Sequence, residues 1–231
     1  MKYNNIVKGR FISRPNRFIA TVDIDGATET VHVKNTGRCK ELLVKDATVY
    51  LEKGLNPDRK TPYDLVAVEK TTENGALLIN MDSQIVNSVA EEWLKGGNLF
   101  SKNAKIRREV TYKKSRFDFF IEDGTDRIFL EVKGVTLEND GVASFPDAPT
   151  ERGVKHLNEL KSALDEGYKC YVLFVIAMKG VTLFKPNDER HKEFGDTLRE
   201  VYSRGVNVLA VDCKVEKDSI LIDKFIDIDL R

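Results

Sequence analysis

One stretch constrains the chain more than any other. Residues 116–133 read as two apolar strand segments flanking Glu122-Asp123-Gly124-Thr125-Asp126-Arg127. An Asp-Gly between two such runs signals a hairpin. If the hairpin is symmetric about the Gly124–Thr125 bond, Ile121 lies opposite Ile128, Phe119 opposite Leu130 and Phe117 opposite Val132. All six are apolar and fall on one face, because strand side chains alternate. The other face then carries Phe120 opposite Phe129, Asp118 opposite Glu131 and Arg116 opposite Lys133. A slip of one residue would mix the two faces. The register has a chemical consequence. Two carboxylates face each other, which destabilises a sheet unless something compensates. A hard divalent cation would do so; so would a nearby lysine or arginine.

Around this hairpin the chain changes character. The first 80 residues hold short β-rich runs, Arg17–Ile24 and Thr28–Lys34 about Asp25-Gly26, then Ala47–Lys53, Tyr63–Lys70 and Ala76–Asn80. Gly37–Val44 is expected to form a short helix. Five short strands with a helical insertion suit a small closed barrel of the OB type. From residue 82 the apolar period becomes helical at Ile85, Val86, Val89, Trp93 and Leu94, and Gly96-Gly97 stops it. Beyond, Val110–Ile121 and Ile128–Val135 read as strands. Thr150 caps a helix to about Glu166, Tyr168–Met178 is a strand apolar on both faces, Asp188–Arg204 is a helix and Val206–Val215 a strand. The expected organisation is a barrel over 1–80 and, over 81–231, a mixed sheet flanked by helices: an α+β/α/β chain in two domains.

Charge and cysteines narrow the classes. The 231 residues carry 37 basic and 37 acidic side chains. Yet residues 1–45 have a net charge of +5, and residues 102–116 one of +6. Such stretches suit a polyanion, or are simply a solvated surface. Cys39, Cys170 and Cys213 form no CxxC or zinc spacing and read as core residues. The N-terminus shows no apolar leader, and the longest apolar run, Val172–Met178, is too short to span a bilayer. A reducing cytoplasm and no membrane partner are therefore expected. No P-loop, Rossmann glycine pattern or nucleophile elbow points to a sugar-metabolic enzyme.

Asp118 followed by Glu131-Val132-Lys133 has the sequence shape of the PD-(D/E)xK nuclease fold. In that chemistry the carboxylates hold Mg2+ or Mn2+, which polarises a phosphate and lowers the pKa of a bound water. The lysine orients that water or neutralises developing charge. The competing reading of Asp118, Glu131 and Lys133 is an ion network on a hairpin. Glu109 is either a further acid or a partner of Arg107 or Arg108. Glu91 and Glu92 sit where such folds often add a carboxylate, although two adjacent glutamates on a helix are commonly just solvated. Thr150, Glu151, Arg152, Lys155 and His156 open a helix, a position that favours phosphate. Arg152, Lys155 and His156 are candidate DNA contacts, and His156 is equally a candidate proton carrier. In the barrel, Arg14, Arg17, Phe18, Lys34, Asn35 and Arg38 are candidates for DNA backbone and bases, with Phe18 more readily a core residue. His32 and His191 look structural.

Several stretches together resemble the sugar fermentation stimulation protein A family. They are Ser115-Arg116-Phe117-Asp118-Phe119, Glu131 to Leu137, Phe145-Pro146-Asp147-Ala148 and Thr150 to Leu157, with Arg17-Phe18, His32, Asn35-Thr36-Gly37, Arg59-Lys60 and Pro62 upstream. One departure is Cys39, where the family usually has methionine. The resemblance implies an N-terminal OB-type domain, a C-terminal PD-(D/E)xK-type domain, DNA binding and a regulatory role in sugar (maltose) metabolism. The expected function is a DNA-binding protein with a Mg2+-dependent phosphodiester-cleaving site. The alternative is a non-cleaving DNA-binding regulator. The oligomeric state stays open, a homodimer included.

Overall fold

The computed structural model describes every residue except Thr36, Pro57 and Asn74. The N-terminal part is built from β1 (Ile6–Ser13), β2 (Ile19–Ile24), β3 (Ala27–Val33), β4 (Thr48–Lys53), β5 (Tyr63–Thr72) and β6 (Gly75–Asn80). Asp25 (φ 52°) and Gly26 (φ 85°) form the two-residue turn between β2 and β3; two positive φ angles match the twist of the flanking strands. The first five strands close on themselves. β1 pairs with β2 and β4, β5 pairs with β4, and a parallel contact, His32 with Asp64 and Val33 with Leu65, joins β3 to β5. This is the expected OB-like barrel, with two corrections to its parts. β1 was not anticipated, because its residues do not alternate in polarity. Ala76–Asn80 lies in β6, which pairs only with β5 outside the ring. Gly9 lets β1 cross the barrel, since a Cβ there would lie 2.6 Å from Val22 and 3.0 Å from Leu51. Residues 40–43 make a turn, not the expected helix.

The rest comprises α1 (Ile85–Lys95), β7 (Lys105–Tyr112), β8 (Ser115–Asp123), β9 (Asp126–Val135), β10 (Leu137–Asn139), β11 (Val142–Phe145), α2 (Glu151–Asp165), β12 (Lys169–Ile176), β13 (Leu183–Pro186), α3 (Asp188–Arg204), β14 (Asn207–Glu216), β15 (Ser219–Phe225) and β16 (Asp227–Ile228). A central sheet runs β15-β14-β12-β9-β8-β7, with β12 parallel to both β9 and β14. A second sheet, β10-β11-β13-β16, had no clear sequence signal. α1 packs on one face of the central sheet through Val86, Val89, Ala90 and Leu94 against Phe119, Leu130 and Val132. α2 and α3 cover the other through Leu157, Leu160, Leu198 and Val201 against Phe129, Val172 and Phe174. Val172 to Ile176 are fully buried, as an apolar run in a doubly covered parallel strand should be. Thr150 caps α2 by accepting from the Gly153 N–H, and Gly205 (φ 110°) ends α3. The expected single strand Val110–Ile121 is two strands. Lys113 (φ 48°) and Lys114 turn the chain between them. Among the described residues no helix is long and apolar enough to cross a membrane.

The β8–β9 register agrees with the sequence over its first part: Ile121 faces Ile128, Phe120 faces Phe129 and Phe119 faces Leu130. The ladder ends there, which corrects the expectation for the next three pairs. The Val132 N–H donates to the Asp118 carboxylate (2.8 Å) and not to a strand carbonyl. Phe117 has turned to the α2 face, where its ring meets Phe129 and His156. The irregularity coincides with Glu109 on β7, whose φ of 53° interrupts the β7–β8 ladder opposite Asp118. Arg116 pairs with Glu109 (3.4 Å) and not across from Lys133.

Candidate active site at the end of the central strands

Glu131 lies on β9 between β8 and β12 and is 3% exposed. Such a carboxylate must find partners or stay protonated. It has two for one oxygen: Lys133 Nζ and His156 Nδ1 both lie 2.5 Å from Oε1. Burial pushes the Glu131 carboxyl up, but the Lys133 ammonium and the His156 hydrogen bond outweigh it and hold the group below its usual range. Its second oxygen, Oε2, is buried without a partner among the described residues.

His156 comes from the second turn of α2, the helix that Thr150 caps, and is itself buried. The Arg152 Nε–H donates to His156 Nε2 at 3.3 Å. With Nε2 accepting, Nδ1 carries the proton and donates to Glu131. The Arg152–His156–Glu131–Lys133 chain thus joins two stretches that are neighbours only in the fold.

Asp118 approaches from the kink in β8. Its Oδ1 accepts from Asn87 Nδ2 on α1 (2.7 Å) and its Oδ2 from the Val132 N–H (2.8 Å). Burial, and next the charge of Glu131, push its pKa up to about 6, against the pull of the Val132 N–H, Lys133 and Asn87. Two carboxylates are therefore electrostatically coupled, one already neutralised at a single oxygen and the other reluctant to ionise. A hard cation fits that donor set: it would satisfy Glu131 Oε2 and stabilise ionised Asp118. Asp118 and Glu131 would hold it.

The remaining sequence candidates fall into groups. Glu109 is exposed and engaged by Arg116. Glu91 pairs with Lys95 (2.7 Å) and Arg108 (3.2 Å), and Glu92 with the N-terminal amine (2.7 Å); what α1 offers Asp118 is Asn87. Arg14 donates to the carbonyls of Arg17, Asn35, Gly37 and Arg38, fastening the loop that follows β3. Asn35 is buried and accepts from the Gly37 N–H. Thr36, between them, lies outside the described residues. Lys34 bridges Asp64 and Asp82. Lys155 donates to the Lys114 carbonyl. Arg17 and Arg38 are exposed. Phe18, read from sequence more readily as core, is 56% exposed. Asn87 escaped sequence reasoning, its only signal being a polar residue beside the apolar stripe of α1.

All three cysteines are buried and free. Among the described residues one group of possible metal ligands gathers elsewhere, Glu151, His191 and Glu193. There the Thr150 N–H donates to His191 Nδ1 (3.2 Å). The His191 proton then sits on Nε2, the nitrogen that faces the two glutamates.

Comparison with known proteins agrees with this layout. Residues 12–79 match the SfsA N-terminal OB domain, and residues 84–219 match the sugar fermentation stimulation protein RE domain. Sugar fermentation stimulation protein homologs from Clostridium beijerinckii and Ruminiclostridium cellulolyticum are 58% and 55% identical, over 99% and 100% of this chain and the same shares of their own. The structure of Pyrococcus furiosus SfsA in complex with Ca2+ superposes with a TM-score of 0.88, covering 99% of this chain and 98% of that one, at 24% identity. With both halves matched and relatives this similar along the whole length, the chain belongs to the sugar fermentation stimulation protein family.

Proposed function

We propose that the chain is a DNA-binding protein whose residues 81–231 carry a Mg2+- or Mn2+-dependent phosphodiester-cleaving site on Asp118, Glu131 and Lys133, with residues 1–80 binding the DNA. The observation that carries the reading is the buried, unpartnered Glu131 Oε2 beside a carboxylate of raised pKa. A site left so in the protein alone is completed by a cation on carboxylate oxygens. The Pyrococcus furiosus relative is described in complex with Ca2+, a cation of the same oxygen-seeking class. When bound, Mg2+ would supply Lewis-acid polarisation of a phosphate and a more acidic water. The chain's own residues do the rest. Lys133, held by Glu131, places a positive charge where charge develops on the phosphate. His156, oriented by Arg152, fixes the direction of the Glu131 carboxylate. Asn87 and the Val132 N–H aim Asp118. Arg17, Phe18 and Arg38 remain exposed for DNA, and three buried free thiols agree with a reducing cytoplasm.

A second reading, a DNA-binding regulator of sugar (maltose) metabolism that does not cleave, draws support from Asn87. That position of α1 presents an amide to Asp118 where a third carboxylate would strengthen cation binding. The deciding experiment incubates wild type and Glu131→Ala with end-labelled single-stranded, duplex, flapped and branched DNA in Mg2+ or Mn2+. Cleavage by the wild type alone supports the nuclease. Binding without cleavage of any substrate leaves the regulator.

A further inference from the structure

A cleft runs between the barrel and the start of α2. Arg17 and Arg38 line it from the barrel, Arg190 from α3, and the loop from Phe145 to Thr150 forms its floor. Among the described residues, none of these three guanidinium groups makes a hydrogen bond or ion pair, whereas Arg14, Arg59, Arg108 and Arg199 are all engaged by protein acceptors. The one carboxylate in the cleft, Asp147, receives the backbone N–H groups of its own residue and of Ala148. Three positive charges therefore line the cleft against this one negative charge, which the backbone holds and which feels Arg14 and Arg190 at longer range.

Two hollows adjoin the cleft. One adjoining hollow shares Arg17, Gly37 and Arg38 and runs along the barrel past Asn16 and Lys40. Another shares Gly37, Phe145 and Asp147 and reaches Gly134, the residue after Lys133, and Val86, the residue before Asn87. Gly37 packs directly on Asp147, since a Cβ there would lie 2.2 Å from Asp147 Oδ2, and this contact closes the barrel onto the floor of the cleft. The cleft beside it, about 470 Å³, is too small to take a duplex. Guanidinium groups without a hydrogen-bond partner along a groove, with exposed Phe18 next to Arg17 in the chain, are the elements that track a single-stranded backbone and stack its bases.

We infer that this cleft is a phosphate-binding groove for a single DNA strand, gripped by Arg17, Arg38 and Arg190. The inference rests on the DNA-binding reading above and adds to it the strand state and Arg190, a residue that no nucleic-acid motif in the sequence marks.

The test measures fluorescence anisotropy of a labelled 12-nucleotide oligo(dT) and of a hairpin duplex, over a range of salt and in EDTA to prevent cleavage. The proteins are wild type, Arg190→Gln and the triple variant Arg17→Gln/Arg38→Gln/Arg190→Gln. The expected result is tighter binding of the single strand by wild type and a loss of about fivefold or more in Arg190→Gln. The salt slope should fall by about 0.7 for each arginine contact removed. The shift of melting temperature with Mg2+ should be unchanged in Arg190→Gln, because the residue lies outside the carboxylate site. Equal affinity and slope in wild type and triple variant, or a preference for duplex, overturns the groove and leaves DNA binding standing. Competition by millimolar dTMP as strong as by the oligonucleotide would also overturn it, in favour of a free nucleotide. Binding of no DNA by the wild type would sink this inference and the DNA reading together.

Discussion

Asp118 and Glu131 respond to the same burial in opposite directions, and the difference lies in their partners. Glu131 has a lysine and a histidine at one oxygen; Asp118 has an amide, a backbone N–H and the charge of Glu131. The Asp118 carboxyl binds its proton more tightly folded than unfolded, so its ionisation destabilises the protein. Stability falls as pH rises from its unfolded pKa of 3.8 through about 6. Glu131 works the other way: its contribution is present above its ordinary 4.5 and lost as pH falls through its lower folded value. Between pH 4.5 and 6 the Asp118 effect is thus separated from that of Glu131, and since burial also raises Asp147, the comparison with an Asp118 variant isolates it. Urea titrations across this range should show wild type losing about 2 kcal/mol that Asp118→Asn does not lose. A flat wild-type profile would mean that Asp118 is not desolvated. The same proton opposes cation binding, so the Mg2+-induced rise in melting temperature should grow from pH 5 to pH 7 in wild type and be absent in Asp118→Asn. His156→Ala, which removes a buried ring and one donor to Glu131, should cost about 2–4 kcal/mol in chemical denaturation.

At the scale of elements, what was legible in the sequence followed from local chemistry. Asp25-Gly26 and Asp123-Gly124 announced their turns, Thr150 and Gly205 the ends of helices, and the apolar run 168–178 a strand covered on both sides. The Lys113-Lys114 turn was hidden, because lysine carries no preference for positive φ and the alternation of β7 runs into that of β8. The small β10-β11-β13-β16 sheet was hidden as well, its strands being two to four residues long. Asp118, Glu131 and Lys133 could be named as a set, but not their surroundings. The kink that releases Asp118 from the ladder depends on Glu109 across the strand, and Asn87 lies 31 residues before Asp118 while His156 lies 25 residues after Glu131, separations that no periodic pattern spans. The kink can be tested at Glu109. A glycine accepts a φ of 53° freely, whereas a β-branched residue resists it. Glu109→Val should lower stability by about 1–2 kcal/mol and weaken the thermal shift with Mg2+, while Glu109→Gly keeps both near wild type. A valine variant with an unaltered metal response would show that the kink does not position Asp118.

In the whole molecule the barrel and the central sheet share their packing. One buried cluster joins Phe11, Val22 and Leu51 of the barrel to Val172, Phe184 and Phe194; the other joins Tyr3, Tyr50 and Val66 to α1 and Leu173. Polar ties cross the same junction. Lys70 Nζ on β5 reaches both the carboxylate and the carbonyl of Glu138 on β10 at 2.6 Å, the Tyr3 N–H donates to the Asp218 carbonyl, and the Asn80 N–H donates to the Ala177 carbonyl. Glu138 is buried, and its pairing with Lys70 holds its carboxyl below the usual range despite burial. Halves joined by a shared apolar core and buried polar bonds cannot separate without exposing both, so they should unfold together, unlike domains that meet across a modest polar interface. The chain offers a direct check, since its single tryptophan, Trp93, sits on α1 and reports only the C-terminal part, whereas far-ultraviolet circular dichroism reports the strands of both. The two signals should trace one urea transition with the same midpoint, and the calorimetric enthalpy should equal the van't Hoff value. Glu138→Ala, which strands Lys70 at the junction, should move both midpoints down together. A barrel signal that persists after the Trp93 transition would mean that the halves are energetically separate, and a groove running between them would then be free to open and close.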